Sequence, residues 1–318
     1  MTLMGLARET ASRIHRRCVA PFGRRTLDHM LANGLPTPLA MPIRFLFTNE
    51  LPEHARRVRE RVEGLRNEIA SRPDVYGYQY SATPFGVARW PVVEASPAAA
   101  GPFVTSRWLA HNASVPDRWG LFLHLCAESY AARTILELGA GVGVSGAYLA
   151  SSRACRRFVT LEGSEALAAV SRTMLNTSTD RATLIVGPFE DGLTRACAWL
   201  AQEHASLDLV YVDGHHDGAA TLHYLNGLLP SLASGAVLII DDISLYSEMW
   251  DAWKRLEAMP GVAVAVNVGR FGILEWRGGS AAAARYDLSR YTGWWRVGSS
   301  RRKAVKSPVV GKLETEGL

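Results

Sequence analysis

The chain concentrates its reactive side chains in two short stretches, Asp213-Gly-His-His-Asp217 and Asp241-Asp242. Each directly follows an apolar run, Leu207 to Val212 and Ala236 to Ile240, with the length and make-up of a buried strand. If those strands are neighbours, Asp213, Asp241 and Asp242 converge at their carboxyl ends. Three carboxylates so placed repel one another unless they are protonated or bridged by a cation. An oxygen-rich set with open positions suits Mg²⁺ or another hard divalent ion, which makes Asp213, Asp241 and Asp242 the candidate metal ligands. Asp241 has a second reading, as a contact to a cofactor pocket or a cap on the next turn. His215 or His216 could take a proton from a substrate hydroxyl, because an imidazole titrates near neutral pH. One of them could instead ligate the metal, or both could be surface residues at the start of the next helix. The candidate catalytic set is therefore His215, His216 and Asp213.

A second stretch, Thr134 to Ala150, has the build of a nucleotide-binding unit. Residues 134 to 138 are an apolar run fit for a buried parallel strand. Gly139, Gly141 and Gly143 then make a turn in which little side chain blocks the backbone, and a helical pattern starts at Val144. Gly141-Val-Gly143-Val-Ser-Gly146 matches G-x-G-x-x-G, and Glu162 follows at about the spacing of a ribose contact. Those features alone would suit a dinucleotide. Glu137, two positions before the first glycine, argues otherwise: its carboxylate would repel a pyrophosphate and attract the cationic amino group of S-adenosylmethionine (SAM). It could also be a strand-end carboxylate that binds a backbone amide. The arrangement Glu137-x-Gly139-x-Gly141-x-Gly143 resembles the first motif of class I SAM-dependent methyltransferases.

The elements that must position these residues alternate regularly. Residues 114 to 132 read as a helix with Trp119, Leu121, Phe122 and Leu125 on its apolar face. Phe158 to Leu161 is a strand ending at Glu162, and Ser164 caps a helix to about Leu175. Strands at Ala182 to Val186, Leu207 to Val212 and Ala236 to Ile240 follow, each with a helix behind it. Val262 to Val268 and Phe271 to Trp276 are separated only by Gly269-Arg270, which permits only an antiparallel pair. The expected fold is α/β: a Rossmann-like, doubly wound, seven-stranded sheet, mostly parallel, with one antiparallel closing strand. An NAD domain would more often continue with another parallel strand, so the hairpin agrees with Glu137. Ligands of such sheets bind beyond the carboxyl ends of the strands, at the switch point. The expected cofactor contacts are Glu137, Gly139, Gly141, Gly143, Ser145, Glu162, Gly163, Phe189 and Asp213, with Phe189 placed to stack on the adenine.

The two acidic stretches extend the resemblance. Tyr211-Val-Asp-Gly-His-His and Leu238-Ile-Ile-Asp-Asp are similar to the "IDGDH … DD" pattern of the methyltransferase-24-like branch, among the metal-dependent small-molecule O-methyltransferases. The likeness covers about residues 114 to 276, and His215 stands where that branch usually has an aspartate. It implies SAM as cofactor, a divalent cation such as Mg²⁺, and methyl transfer to a small-molecule hydroxyl. An RNA methyltransferase is the alternative, using basic clusters at Arg8 to Arg25, Arg56 to Arg66 and Arg301-Arg302-Lys303. A base-amino enzyme would carry Asn/Asp-Pro-Pro-aromatic where this chain has Asp213-Gly-His-His, so nucleic acid is the weaker partner. A non-catalytic SAM-binding protein is a third reading, disfavoured by the intact turn and acids.

The remaining sequence sets the frame. The 318 residues, 48% hydrophobic and 20% charged with a net charge of +5, suit one α/β domain with an appendage. The division expected is an N-terminal helical extension and lid region over 1–113, a SAM-binding domain over 114–280 and a tail over 281–318. The N-terminal part would hold short basic helices at Leu3 to Cys18 and Thr26 to Ala32, then an amphipathic helix from Glu53 to Ser71. Tyr76, Tyr78, Tyr80, Phe85 and Trp90 are core or substrate-pocket aromatics, and residues 95–102 read as a linker. Cys18, Cys126, Cys155 and Cys197 show no paired spacing and read as free thiols of a reducing compartment. With no membrane-length apolar run and no signal-peptide pattern, the cytoplasm is the expected location, and the fold family suggests a homodimer.

Overall fold

The computed structural model describes residues 3–79, 82–83, 86–87, 92–94, 103–279 and 283–292. The N-terminal part runs through helices α1 (Leu3–Ala32), α2 (Ala40–Thr48) and α3 (Glu53–Ser71). Short strands follow: β1 (Val75–Gln79), β2 (Ala82–Thr83), β3 (Gly86–Val87), β4 (Val92–Glu94) and β5 (Phe103–Thr105). β1 lies between β4 and β5 in a small antiparallel sheet, and β2 pairs with β3. The two basic helices expected near the N-terminus are one, α1, with Pro21 inside it. Tyr76 is buried; Tyr80, Phe85, Trp90, residues 95–102 and Arg301-Arg302-Lys303 lie outside the described residues.

Helices α4 (Ser106–Asn112) and α5 (Asp117–Ser129) lead into the main sheet. The alternation then runs β6 (Thr134–Leu138), α6 (Val144–Ala150), β7 (Arg157–Glu162), α7 (Glu165–Ser178), β8 (Ala182–Val186) and α8 (Phe189–Gln202). It continues with β9 (Leu207–Val212), α9 (Gly218–Leu228), β10 (Leu232–Ile240), α10 (Ser247–Leu256), β11 (Val262–Asn267), β12 (Gly272–Trp276), β13 (Ala284–Asp287) and α11 (Ser289–Thr292). The strand order is β13-β11-β12-β10-β9-β6-β7-β8. β12 alone runs against its neighbours, because the two-residue turn after β11 folds it back between β11 and β10. The sheet thus has eight strands where seven were expected. The additional one, β13, comes from residues assigned to the tail and pairs in parallel with β11.

Alternation along each strand sends side chains to two apolar layers. Ile135, Phe158, Tyr211, Ile239 and Phe271 face α5, α6 and the N-terminal helices. Leu136, Leu138, Leu161, Val210 and Leu238 face α8, α9 and α10. A fully buried leucine contributes about 1.5–3 kcal/mol, whereas an exposed pair such as Arg56–Glu53 contributes about 0–1 kcal/mol. The layers therefore hold the fold.

Two buried polar anchors fix the N-terminal helices to it. Arg66 of α3, 3% exposed, donates to the carbonyls of Ala110 (2.8 Å) and Val115 (2.7 Å) and pairs with Glu63. Tyr148 of α6 donates to Glu63 at 2.8 Å. Its ring fills the space that a side chain at Gly120 would need, with a Cβ there meeting the ring at 2.3 Å.

Candidate active site

The strand order reverses between β6 and β9, so the carboxyl ends of these two strands flank the switch point where α/β sheets bind ligands. On the β6 side, Gly139 (φ +100°) lies so close to the β9 end that a Cβ would come within 2.2 Å of the Asp213 carbonyl oxygen. Only glycine tolerates both the backbone angle and that approach. Gly141 (φ +54°) and Gly187 (φ +131°) instead border open space, with nothing within 4 Å of an added Cβ. Gly143 (φ +90°) is the N-cap of α6. Gly163, between β7 and α7, has the Gly187 carbonyl 4.0 Å from an added Cβ.

Glu162 ends β7 and holds the turn together. Its two oxygens accept from the backbone amides of Gly141 and Ser164, each at 2.8 Å. A carboxylate has about four acceptor positions, so further donors such as ribose hydroxyls can be accommodated. Burial pushes its pKa up to about 7 against the opposing pull of the Ser164, Gly141 and Gly163 amides. Ser164 also caps α7, accepting from the Leu167 amide at 3.2 Å.

Glu137 lies deeper than the sequence suggested. It is fully buried under the first turn of α6, and its Oε2 accepts from Thr160 at 2.6 Å, while its Oε1 has no hydrogen-bond partner in the protein. Gly146 clears room for it, since a Cβ there would sit 2.9 Å from Oε2. Burial raises the Glu137 pKa to about 7; the Ser145 and Thr160 hydroxyls oppose the shift and the Glu162 charge adds to it. Ser145 itself is buried on the same turn.

On the β9–β10 side the acidic residues do converge, around Tyr211. The Tyr211 hydroxyl is 3.0 Å from Asp213 Oδ2 and 2.9 Å from Asp241 Oδ2. A phenol has one proton to give. Directed at Asp241, it leaves Asp213 to complete the chain with a proton of its own. The titration directions agree. Burial and then the Asp241 charge push Asp213 well above the usual carboxylate range. Burial would also raise Asp241, but the Arg270 charge and hydrogen bonds outweigh it and hold Asp241 low. Asp242, in left-handed backbone (φ +50°), is raised by burial and by Asp241.

The cation of this cluster belongs to the chain. Arg270 donates from Nε to Asp241 Oδ1 and from Nη2 to Asp241 Oδ2, both at 2.6 Å, and its Nε lies 3.9 Å from Asp242. The expected metal ligands Asp213, Asp241 and Asp242 are therefore brought together, but their geometry does not fit a metal. Asp241 Oδ1 also accepts from the Asp242 amide at 2.6 Å, so its four acceptor positions are filled by Arg270 twice, Tyr211 and Asp242. A hard cation needs those oxygens as direct ligands at about 2.0–2.6 Å. Among the described residues, no three His, Cys, Asp or Glu side chains are disposed to hold a metal ion.

The structure separates the two histidines, both in left-handed backbone (φ +61° and +45°). His216 Nε2 lies 3.5 Å from Asp213 Oδ1, at the acidic cluster. His215 turns the other way. Its Nδ1 is 3.0 Å from the Tyr224 hydroxyl and its ring packs on Phe189 with centroids 4.9 Å apart, and burial lowers its pKa. Phe189, 6% exposed, is also edge-on to Tyr224 and sits under Gly214. These contacts pack Phe189 and His215 against Tyr224 at the α8–α9 corner.

Tyr211 and Arg270 were overlooked as site residues. Tyr211 carried a readable signal: two positions before Asp213, it points to the same side of its strand. Arg270 stood in the sequence only as half of a hairpin turn.

A mostly parallel sheet with one reversed strand, a glycine turn at the switch point and an acid ending the adjacent strand make a Rossmann-like α/β fold. The methyltransferase-24 family model, described as a methyltransferase domain, matches residues 136–243 of the chain. A catechol O-methyltransferase of Mycobacterium tuberculosis is 31% identical over 133 residues, covering 41% of this chain and 57% of that protein. The chain thus spans somewhat more than half of that curated relative. Among solved structures, an O-methyltransferase from Bacillus cereus in complex with SAH is 24% identical (51% of this chain, 81% of that one, TM-score 0.43). The O-methyltransferase TomG from Streptomyces achromogenes in complex with SAM is also 24% identical (52% and 82%, TM-score 0.45). No described helix is long and apolar enough to cross a membrane.

Proposed function

We propose that this protein is a SAM-dependent O-methyltransferase acting on a small-molecule hydroxyl. The observation that carries the reading is the joining, at one switch point, of an open glycine turn anchored by Glu162 to a histidine-bearing carboxylate cluster. The residues fit the cofactor. Glu162 keeps acceptor positions for the ribose, Gly141 and Gly187 leave the surface clear, and the unpartnered Glu137 Oε1 puts negative potential beneath a cationic ligand. Bound there, SAM supplies a sulfonium-activated methyl group and leaves as the neutral thioether.

The chain's own task is to orient the acceptor and take its proton. His216 is the base best placed for it: as the acceptor oxygen forms its new bond to carbon, the hydroxyl proton passes to the imidazole. Asp213, 3.5 Å from the His216 ring, holds it in place, while the Asp241 charge stays paired with Arg270. The relationship to a catechol O-methyltransferase makes a vicinal aromatic diol the first acceptor to try. Calorimetric titration with SAM, with NAD⁺ as control, tests the cofactor reading. Micromolar SAM binding without NAD⁺ binding is expected, and a folded protein that binds no SAM would overturn it.

A further inference from the structure

The β11–β12 turn is built to deliver one side chain to the site. Gly269 (φ +96°) occupies the first central position of a two-residue hairpin turn and Arg270 the second, as a II′ turn calls for. The turn is closed by Val268 N–H donating to the Phe271 carbonyl at 3.0 Å. It is pinned to the loop after β10 by Ser244 Oγ donating to the Gly269 carbonyl (3.1 Å) and Ile243 N–H to the Arg270 carbonyl (3.2 Å). Asn267 steadies it from behind by accepting from the Gly269 amide at 2.8 Å. Because β12 pairs with β10 in register up to Ile240–Gly272, the turn ends level with Asp241. The guanidinium then meets both oxygens of that carboxylate in a two-pronged contact, with only 11% of its side chain exposed.

We propose that Arg270 is the resident cation of this site, standing where a divalent ion would otherwise bridge Asp213, Asp241 and Asp242, so that the site works without bound metal. The catalytic half of this statement rests on the methyltransferase reading; the exclusion of metal does not. A guanidinium stays charged at every working pH and its planar fork matches a carboxylate edge, so it neutralises Asp241 permanently. A small hard ion could coordinate Asp241 only by displacing it. Arg270 acts through Asp241 and Tyr211 on the Asp213–His216 pair, which makes it a positioning residue.

The test is a Mn²⁺ titration of EDTA-treated, desalted protein, with free Mn²⁺ read by electron paramagnetic resonance. The wild type is expected to leave Mn²⁺ free, and Arg270→Lys, which keeps a cation, to do the same. Arg270→Ala, or Arg270→Gln if the alanine variant does not fold, is expected to take up one Mn²⁺ per chain, at least about tenfold more tightly than the wild type. Stoichiometric micromolar Mn²⁺ on the wild type would overturn the proposal. So would charge-free variants that bind no better than the wild type, since the carboxylates would then never have been a cation site. A calorimetric SAM titration of the same wild-type sample separates the two readings. Loss of SAM binding with Mn²⁺ still excluded would remove the methyltransferase assignment and leave the role of Arg270 intact.

Discussion

The two halves of the site are assembled by different means. The glycine half is local: strand, turn and helix are contiguous from Thr134 to Ala150, and Glu162 arrives one strand later to bind the Gly141 amide. The acidic half is long-range: Asp213, Asp241 and Arg270 come from three segments, with Arg270 reaching Asp241 across 29 positions through the inserted β12. A motif reports the first kind of site almost completely. For the second kind it reports the groups that need a partner, and the topology supplies that partner.

The two halves should also fail differently. The largest effect is expected from Gly139→Ala, because the added Cβ meets a backbone carbonyl that cannot move without displacing Asp213. A loss on the order of 4 kcal/mol or more is expected in denaturant unfolding, together with loss of SAM binding. Gly141→Ala, beside open space, should cost only about 1–2 kcal/mol for its left-handed backbone. Equal effects would break the distinction between a glycine required by contact and one required by conformation.

Arg270→Ala should follow, at about 3–5 kcal/mol, since it leaves the fully buried Asp241 without its counter-charge. Much of that loss should be recovered in the Arg270→Met, Asp241→Leu double variant, which removes both charges; a double-variant cycle by urea unfolding checks it.

Glu137 gives a pH-dependent contrast. Its pKa is raised from 4.5 to about 7 by burial, so the folded protein favours the protonated form. The stability this contributes is complete below about pH 4.5 and is lost as the pH rises through about 7. Glu137→Gln, which resembles the protonated state, should be near neutral at pH 5 and stabilising by roughly 2–3 kcal/mol at pH 8 without ligand. A gain independent of pH would show that Glu137 is not held in this way. The smallest stability effect is expected at the histidines, where activity separates them. His216→Ala should lower kcat about 10²-fold or more, whereas His215→Ala should cost about 1 kcal/mol of stability and leave kcat within a few-fold.

Much of this was legible in the sequence. The apolar runs at Thr134 to Leu138 and Leu207 to Val212 are fully or almost fully buried, and such runs declare themselves as central strands. Ser164 is the helix cap its position suggested. The convergence of Asp213, Asp241 and Asp242 and their need for a cation followed from strand order and Coulomb repulsion. Three things did not follow. β13 is an edge strand with mostly exposed residues, Ala284-Arg-Tyr-Asp287, and lacks the apolar alternation that marks a strand. Both histidines adopt left-handed backbone, which is uncommon for any residue but glycine even though His tolerates it better than most. Oxygen ligands are visible in a sequence and point to a metal, whereas a turn arginine facing them requires knowing that β12 folds back beside β10.

The most direct test of the central claim follows the methyl group itself. Chelator-treated protein would be incubated with SAM carrying a deuterated methyl group and catechol as acceptor, and the products separated and weighed by mass spectrometry. Labelled O-methyl catechol and the demethylated cofactor, formed in equal amounts without added metal, are the expected result. Labelled product only after Mg²⁺ is restored would contradict the metal-free site, and SAM bound but unconsumed across a panel of hydroxylated acceptors would contradict O-methyl transfer.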